Sequence, residues 1–186
     1  MRILGIETSC DETAVCVIEA EGDLGDFQFR VLGNALISQA KLHEQYGGVF
    51  PNLAKREHEK NLVPLLEQAL TQAGLSSQGD ALTYGIEKIL EREKELCAQL
   101  SVFLKAHEKP AIDAIAVTHG PGLEPALWVG INFAKALAHA WNLPIIPVNH
   151  MEGHVFSALL EKKNGKEFSI SNFQFPMNDQ MLKCRQ

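Results

Sequence analysis

No C-x-x-C pair and no disulfide-framework spacing occurs among the four cysteines, Cys10, Cys16, Cys97 and Cys184. Reduced thiols of a cytoplasmic protein are the simplest reading. Nor is there an excess of positive charge. The formal net charge of −6 gives no global attraction to nucleic acid or to an anionic membrane. Any RNA contact then needs a local basic patch or a basic partner. Lys41, Lys55, Arg56 and Lys60 form the one conspicuous cluster, and Glu44, Glu57 and Glu59 dilute it toward an ordinary solvated helix face. No apolar run approaches the roughly 20 residues of a membrane span. Glu7, Asp11 and Glu12 follow Met1 too closely for a secretory apolar region. What is present is a soluble-type composition, 46% hydrophobic and 22% charged, over 186 residues. That length suffices for one well-packed domain with an appendage.

Residues 3–9, 14–19 and 27–36 read as three strands joined by the turns 11–13 and 21–26, an antiparallel meander. Past the Tyr46-Gly47-Gly48 break and Pro51, residues 53–73 have helical spacing, with Leu62, Leu65, Leu66, Ala69, Leu70 and Ala73 as the apolar stripe. A second amphipathic helix is expected over residues 81–107. The remainder alternates: a strand at 111–118, a helix at 125–141, a short strand at 145–148 and a helix from about 149 to 160. Lys162-Lys163-Asn164-Gly165-Lys166 is a polar linker, and the tail from residue 167 has no clear period. A meander followed by βαβ units predicts an α/β fold, a ribonuclease-H-like lobe with a mixed sheet and flanking helices. This lobe is the building block of the actin/sugar-kinase (ASKHA) superfamily, whose members pair two lobes around a nucleotide cleft. The expected organisation is one lobe over residues 1–165, with a helical insertion at about 76–108, and a tail at 166–186 that is poorly ordered or begins a second lobe.

Three segments carry chemistry. The pentapeptide His150-Met151-Glu152-Gly153-His154 sets two imidazoles at i and i+4 on one helix face, where both can close on one metal ion. Asn149 is a good N-cap and Glu152 falls at N3, a capping-box arrangement that accounts for Glu152 without catalysis. At about 100° per residue, Glu152 points roughly 200° from His150, a poor placement for activating a metal-bound water. The turn Thr8-Ser9-Cys10-Asp11-Glu12-Thr13 gathers two carboxylates. Such residues satisfy tight turns locally, but paired carboxylates also orient a nucleophile, act as a base or hold a cation. Thr118-His119-Gly120-Pro121-Gly122-Leu123 joins a strand to a helix whose free N–H groups suit an anion or carbonyl. It matches neither the Walker pattern nor the dinucleotide fingerprint, and a plain tight connection also explains it.

Together these segments resemble the TsaD family, the tRNA threonylcarbamoyladenosine synthase subunits once classed as O-sialoglycoprotein endopeptidases. The resemblance is carried by Ile3-Leu4-Gly5-Ile6-Glu7-Thr8-Ser9-Cys10-Asp11-Glu12-Thr13, by Tyr46-Gly47-Gly48-Val49-Phe50-Pro51 with Arg56-Glu57-His58, by Gly120-Pro121-Gly122-Leu123, and by Pro147-Val148-Asn149-His150-Met151-Glu152-Gly153-His154. They occur in family order over roughly the first 160 residues. The resemblance implies transfer of a threonylcarbamoyl group from threonylcarbamoyl-AMP to N6 of adenosine 37, just 3′ of the anticodon, in tRNAs reading ANN codons. It implies His150 and His154 as ligands of one divalent metal ion, iron or zinc, completed by an aspartate from a second lobe. It also implies Asp11 and Glu12 as catalytic groups that orient or deprotonate the incoming amine, with TsaB-like and TsaE-like subunits and tRNA as partners and no membrane.

The family's second-lobe Ser-Gly-Gly-His-Thr loop and adenylate-binding residues do not occur in these 186 residues, and the 26 residues after Leu160 cannot repeat the meander. The expectation is therefore an N-terminal lobe, as a fragment, a truncated product or half of a split enzyme whose C-terminal lobe is a separate polypeptide. Its nucleotide site would be incomplete and its activity alone slight. Two rival readings are a non-catalytic, TsaB-like dimerisation scaffold, which would lack the histidine pair, and a metallopeptidase, against which the position of Glu152 counts.

Overall fold

A computed structural model of the chain describes residues 1–23, 26–79, 85–158, 160–163 and 165–171. The meander consists of β1 (Arg2–Glu7), β2 (Glu12–Asp23) and β3 (Asp26–Ser38). β1 pairs antiparallel with β2 from Arg2↔Glu19 to Glu7↔Ala14, and β2 pairs antiparallel with β3 as far as Asp23↔Asp26. The strands run longer than the residue pattern suggests: of the turn expected over 21–26, residues 21–23 lie in β2 and residue 26 in β3, and residues 24–25 lie outside the described residues. Glu12 likewise opens β2 rather than sitting in a turn.

After the short helix α1 (Ala40–His43), the long helix α2 (Pro51–Gln72) carries the Leu62, Leu65, Leu66, Ala69 and Leu70 stripe, all of it buried. The parallel half of the sheet follows: β4 (Ala114–Gly120), the helix α4 (Glu124–Trp141) and β5 (Ile145–Asn149). β4 pairs parallel to β1 and β5 parallel to β4. α2 lies over β2 and β3, α4 lies over β4, and the two helices touch. The core forms between them, where alternate strand residues Leu4, Ile6, Val15, Val17, Ile115 and Val117 meet Val129, Phe133, Leu137 and Trp141. At about 1.5–3 kcal/mol for each large apolar side chain removed from water, this face supplies the main driving force of the lobe. It is the mixed α/β sheet with flanking helices expected from the sequence, a ribonuclease-H-like lobe.

Two expected elements differ. The helix predicted over 81–107 is a single 3-10 turn, Ile86–Lys88, followed by the helix α3 (Lys94–Ala106), and residues 80–84 lie outside the described residues. Gly85 is left-handed at φ 62°, which no right-handed helix passes through. Glu93 would fall in the middle of the apolar stripe. The chain instead leaves helical geometry there (φ −112°, ψ 63°), and the buried carboxylate accepts a hydrogen bond from Asn132 Nδ2 at 3.3 Å. The tail also differs. After the helix α5 (His150–Ala158), the strands β6 (Glu161–Lys162) and β7 (Glu167–Ser171) continue the sheet. β7 pairs with β3 from Asp26↔Ser171 to Arg30↔Glu167, giving the order β5-β4-β1-β2-β3-β7-β6. Phe168 stacks on Phe29 at 5.4 Å, a cross-strand contact that single-segment periodicity does not register. Residues 172–186 lie outside the described residues.

Candidate functional site

The carboxyl ends of the parallel strands β1, β4 and β5 converge, and this is where ligands bind in open α/β sheets. α5 starts directly from β5. Asn149 Oδ1 accepts from the backbone N–H of Met151 at 2.9 Å and of Glu152 at 3.3 Å, so the expected N-cap is in place. This cap fixes the direction of the first helical turn and with it both imidazoles. Their rings meet edge to face at 4.5 Å, with His150 Nε2 and His154 Nε2 3.0 Å apart.

His150 is oriented from behind. Its Nδ1 lies 3.2 Å from Ser9 Oγ and 3.5 Å from Glu7 Oε2. A nitrogen facing a carboxylate carries the proton, so Nδ1–H donates toward Ser9 and Glu7, and Nε2 is the nitrogen turned toward His154. Glu7, at the end of β1, is itself held by the Ser9 backbone N–H and by the Thr118 hydroxyl from β4. Burial works against the charge on Glu7. Hydrogen bonds from the Ser9 hydroxyl, Thr118 and the Ser9 amide, with the nearby His150, overcome it and hold the carboxyl below the usual range. Carboxylate, histidine and free nitrogen thus line up as they do behind histidine metal ligands.

Two imidazole nitrogens at 3.0 Å share either a hydrogen, as when Nε2–H of one ring donates to Nε2 of the other, or a metal ion. Two donors each about 2.0–2.1 Å from one ion sit about 3 Å apart when adjacent in its shell, so the pair fits a shared ion. Among the described residues no group of three or more His, Cys, Asp or Glu side chains surrounds a common point. Glu152 is exposed and makes no hydrogen bond or ion pair with either histidine, in keeping with its expected direction.

The Gly120-Pro121-Gly122 loop packs under this cluster. Leu123 N–H donates to Ser9 C=O at 2.8 Å, and a Cβ on Gly122 would stand 2.6 Å from that same oxygen. A glycine is therefore required for the loop to lie on Ser9, whatever it binds. His119 Nδ1 sits 3.0 Å from the Val148 carbonyl, which fastens the ends of β4 and β5 together.

The acidic hairpin is next to this cluster in sequence but separate in contacts. Asp11 is half-buried and Glu12 exposed, and neither makes a hydrogen bond or ion pair with His150 or His154. Partial burial and the bond to Asp11 push the Cys10 thiol up. The hairpin is instead anchored by His58 of α2, which is fully buried. His58 Nε2 lies 3.1 Å from the Cys10 carbonyl and His58 Nδ1 2.7 Å from Thr13 Oγ1. In the basic cluster, Lys55 and Lys60 are committed to Glu59 at 3.6 Å and Glu57 at 2.7 Å.

Sequence reasoning did not single out Glu7, Ser9 and Thr118 as supports of His150. The available signal was a carboxylate ending an otherwise apolar strand, next to the hydroxyls of the turn.

Among comparisons with known proteins, a family model described as TsaD, tRNA N6-adenosine threonylcarbamoyltransferase, matches residues 30–86 and 95–171. The chain belongs to the TsaD family. The matched residues include His58, Thr118, His150 and His154, whereas Glu7, Ser9, Asp11 and Glu12 precede them. Residues 87–94, unmatched, fall within the segment expected to be inserted. Solved structures similar to this TsaD-family chain include YeaZ from Pseudomonas aeruginosa, at 14% identity and a TM-score of 0.46, covering 95% of this chain and 73% of that one. Another is an uncharacterized protein with similarity to peptidase YeaZ from the same organism, at 15% identity and a TM-score of 0.44, covering 95% and 70%. Thermus thermophilus RuvC follows at 14% identity and a TM-score of 0.40, covering 86% and 69%. Among the described residues no helix is long and apolar enough to cross a membrane.

Proposed function

We propose that this TsaD-family lobe works in cytoplasmic tRNA modification and contributes two metal donors, His150 and His154, to transfer of a threonylcarbamoyl group from its adenylate to N6 of adenosine 37. The observation that carries this reading is the convergence of the two Nε2 atoms at 3.0 Å, with the Nδ1 proton of His150 turned back onto Ser9 and Glu7. A divalent ion held there, iron or zinc, supplies Lewis acidity toward a carbonyl oxygen. The chain's own residues prepare for it. Glu7, itself pinned by Thr118, keeps the His150 proton on Nδ1, and Asn149 keeps both rings on one side of α5. Asp11 and Glu12, displayed on the hairpin, are the groups proposed to accept a proton from the incoming amine. The remaining donors and the adenylate contacts belong to a complementary lobe. TsaB-like and TsaE-like subunits, with tRNA, complete the assembly.

The test is metal stoichiometry of the dialysed, zinc- or iron-reconstituted chain. It should approach one ion per chain and collapse in His150→Ala and in His154→Ala. Threonylcarbamoylation of tRNA should then require addition of the complementary lobe. A chain that binds no ion even with that lobe present would instead be a scaffold. Cleavage of a glycoprotein substrate by the chain would favour the peptidase reading.

A further inference from the structure

We infer that His58 is the positioning residue of the Asp11–Glu12 hairpin, and that a buried side-chain relay through Gln39 and His43 ties this hairpin to the loop of residues 46–51. Its functional meaning rests on the reading above, in which the hairpin carboxylates serve the reaction.

The relay can be followed proton by proton. The Cys10 carbonyl only accepts, so His58 Nε2 carries the hydrogen of their 3.1 Å bond. His58 Nδ1 is then an acceptor. It faces the Thr13 hydroxyl at 2.7 Å, with Gln39 Nε2 at 3.4 Å. That contact orients the Gln39 amide, whose Oε1 faces His43 Nε2 at 3.1 Å, making His43 Nε2 the donor. His43 Nδ1 in turn accepts from the backbone N–H of Phe50 at 3.3 Å. Every bond points the same way, from Phe50 to Cys10, and the chain closes only with both imidazoles neutral. His58, Thr13, His43 and Gln39 are 0%, 0%, 2% and 4% exposed, so water offers little alternative to these partners.

The placement of the grips distinguishes positioning from mere satisfaction of a core histidine. His58 holds the residue before Asp11 and the residue after Glu12. The Gln39 backbone N–H, 2.8 Å from the Asp11 carbonyl, holds the middle. These anchors, at Cys10, Asp11 and Thr13, hold the backbone on either side of the two carboxylates. At the other end, the relay reaches a loop that shows solvent a stacked aromatic pair, Tyr46 and Phe50, 5.6 Å apart and 55% and 48% exposed. A shift of the Phe50 backbone therefore changes a hydrogen bond whose far end is the hairpin.

The experiment uses the full chain, isotopically labelled, without metal or tRNA. Long-range proton–nitrogen spectra at neutral pH should show His58 and His43 both as neutral Nε2–H tautomers. In His58→Leu, exchange of the Gln39 amide should accelerate about ten- to a hundredfold, while amides of the β1–β2 pairing stay within about twofold. His58→Gln, which keeps a donor and an acceptor, should restore most of the protection. His43→Leu should move the resonances of Asp11 and Thr13. An Nδ1–H tautomer or a protonated ring at either histidine overturns the relay. Equal behaviour of the Leu and Gln variants, or uniform acceleration across the sheet, overturns the positioning role. Should His58→Leu fail to fold, the tautomers and the Gln variant decide. Since no readout involves metal, this inference and the metal reading stand or fall separately.

Discussion

Replacing Glu7 by glutamine probes the support of the histidine pair without altering either ring. The side chain keeps its shape and loses its charge. Its Oε1 still accepts from the Ser9 N–H, and the new amide takes the place of the oxygen shared by Thr118 and His150 Nδ1, 3.5 Å away. The Thr118 hydroxyl can rotate to accept from that amide. The His150 Nδ1–H cannot adapt, so it faces another donor and keeps only Ser9 Oγ at 3.2 Å. The proton is then no longer confined to Nδ1, and the fraction of His150 offering its Nε2 lone pair falls. Losing such a carboxylate behind a histidine ligand weakens metal binding about 10- to 100-fold, or about 1.4–2.7 kcal/mol. Exchanging charge-assisted for neutral hydrogen bonds at a carboxylate 33% exposed should cost about 1–2 kcal/mol of folding stability. Zinc titration calorimetry reads the first effect, and thermal melting in chelator reads the second, as a drop of about 2–8 °C. If Glu7→Gln binds zinc within about twofold of the unsubstituted chain while His150→Ala abolishes binding, the carboxylate is structural only and the tautomer argument is wrong.

Three other outcomes are expected. Burial holds the His58 imidazole below the ordinary histidine value, against the Cys10 carbonyl and the charges of Glu7 and Asp11, with His43 adding to the lowering. The unfolded chain therefore binds the extra proton first. The His58 contribution is full above about pH 6.5 and is lost as pH falls toward the lowered folded value, a slope that urea melts should show and His58→Gln should remove. Gly130→Ala should destabilise by about 1–3 kcal/mol in thermal melts, because its Cβ would stand 2.3 Å from Thr8 Oγ1, the hydroxyl that ties β1 to the Ala126 carbonyl of α4. Asn149→Ala should remove about 1 kcal/mol of capping from α5 and accelerate exchange of the Met151 and Glu152 amides, without unfolding the sheet.

The meander and the apolar stripe of α2 were legible because each is a local pattern repeated at 2 or 3.6 residues, and the capped start of α5 because Asn149 acts within its own turn. The break at Gly85 and Glu93 was less so. The spacing of apolar residues runs through it, and only the backbone of one residue and the Asn132 partner of the other interrupt the helix. β7 was illegible for another reason. A five-residue strand is recognised by the neighbour it completes, and β3 lies about 140 residues earlier.

The same distinction runs through the site. Spacing alone places His150 and His154 on one face, but it leaves open which nitrogen of His150 looks outward. That depends on Glu7 and Ser9, far away in the chain and brought in by the parallel pairing of β1 with β4 and β4 with β5. His58 is the converse case. It belongs to the Arg56-Glu57-His58 stretch that carries part of the family resemblance, but its task appears only when the carbonyl of Cys10 and the hydroxyl of Thr13 are set against its two nitrogens. Motif residues that donate to a ligand can be found by spacing. The residues that decide which proton they carry are found only once the sheet has assembled them. For this reason Glu7 and His58, rather than the histidine pair itself, are the more discriminating positions to mutate.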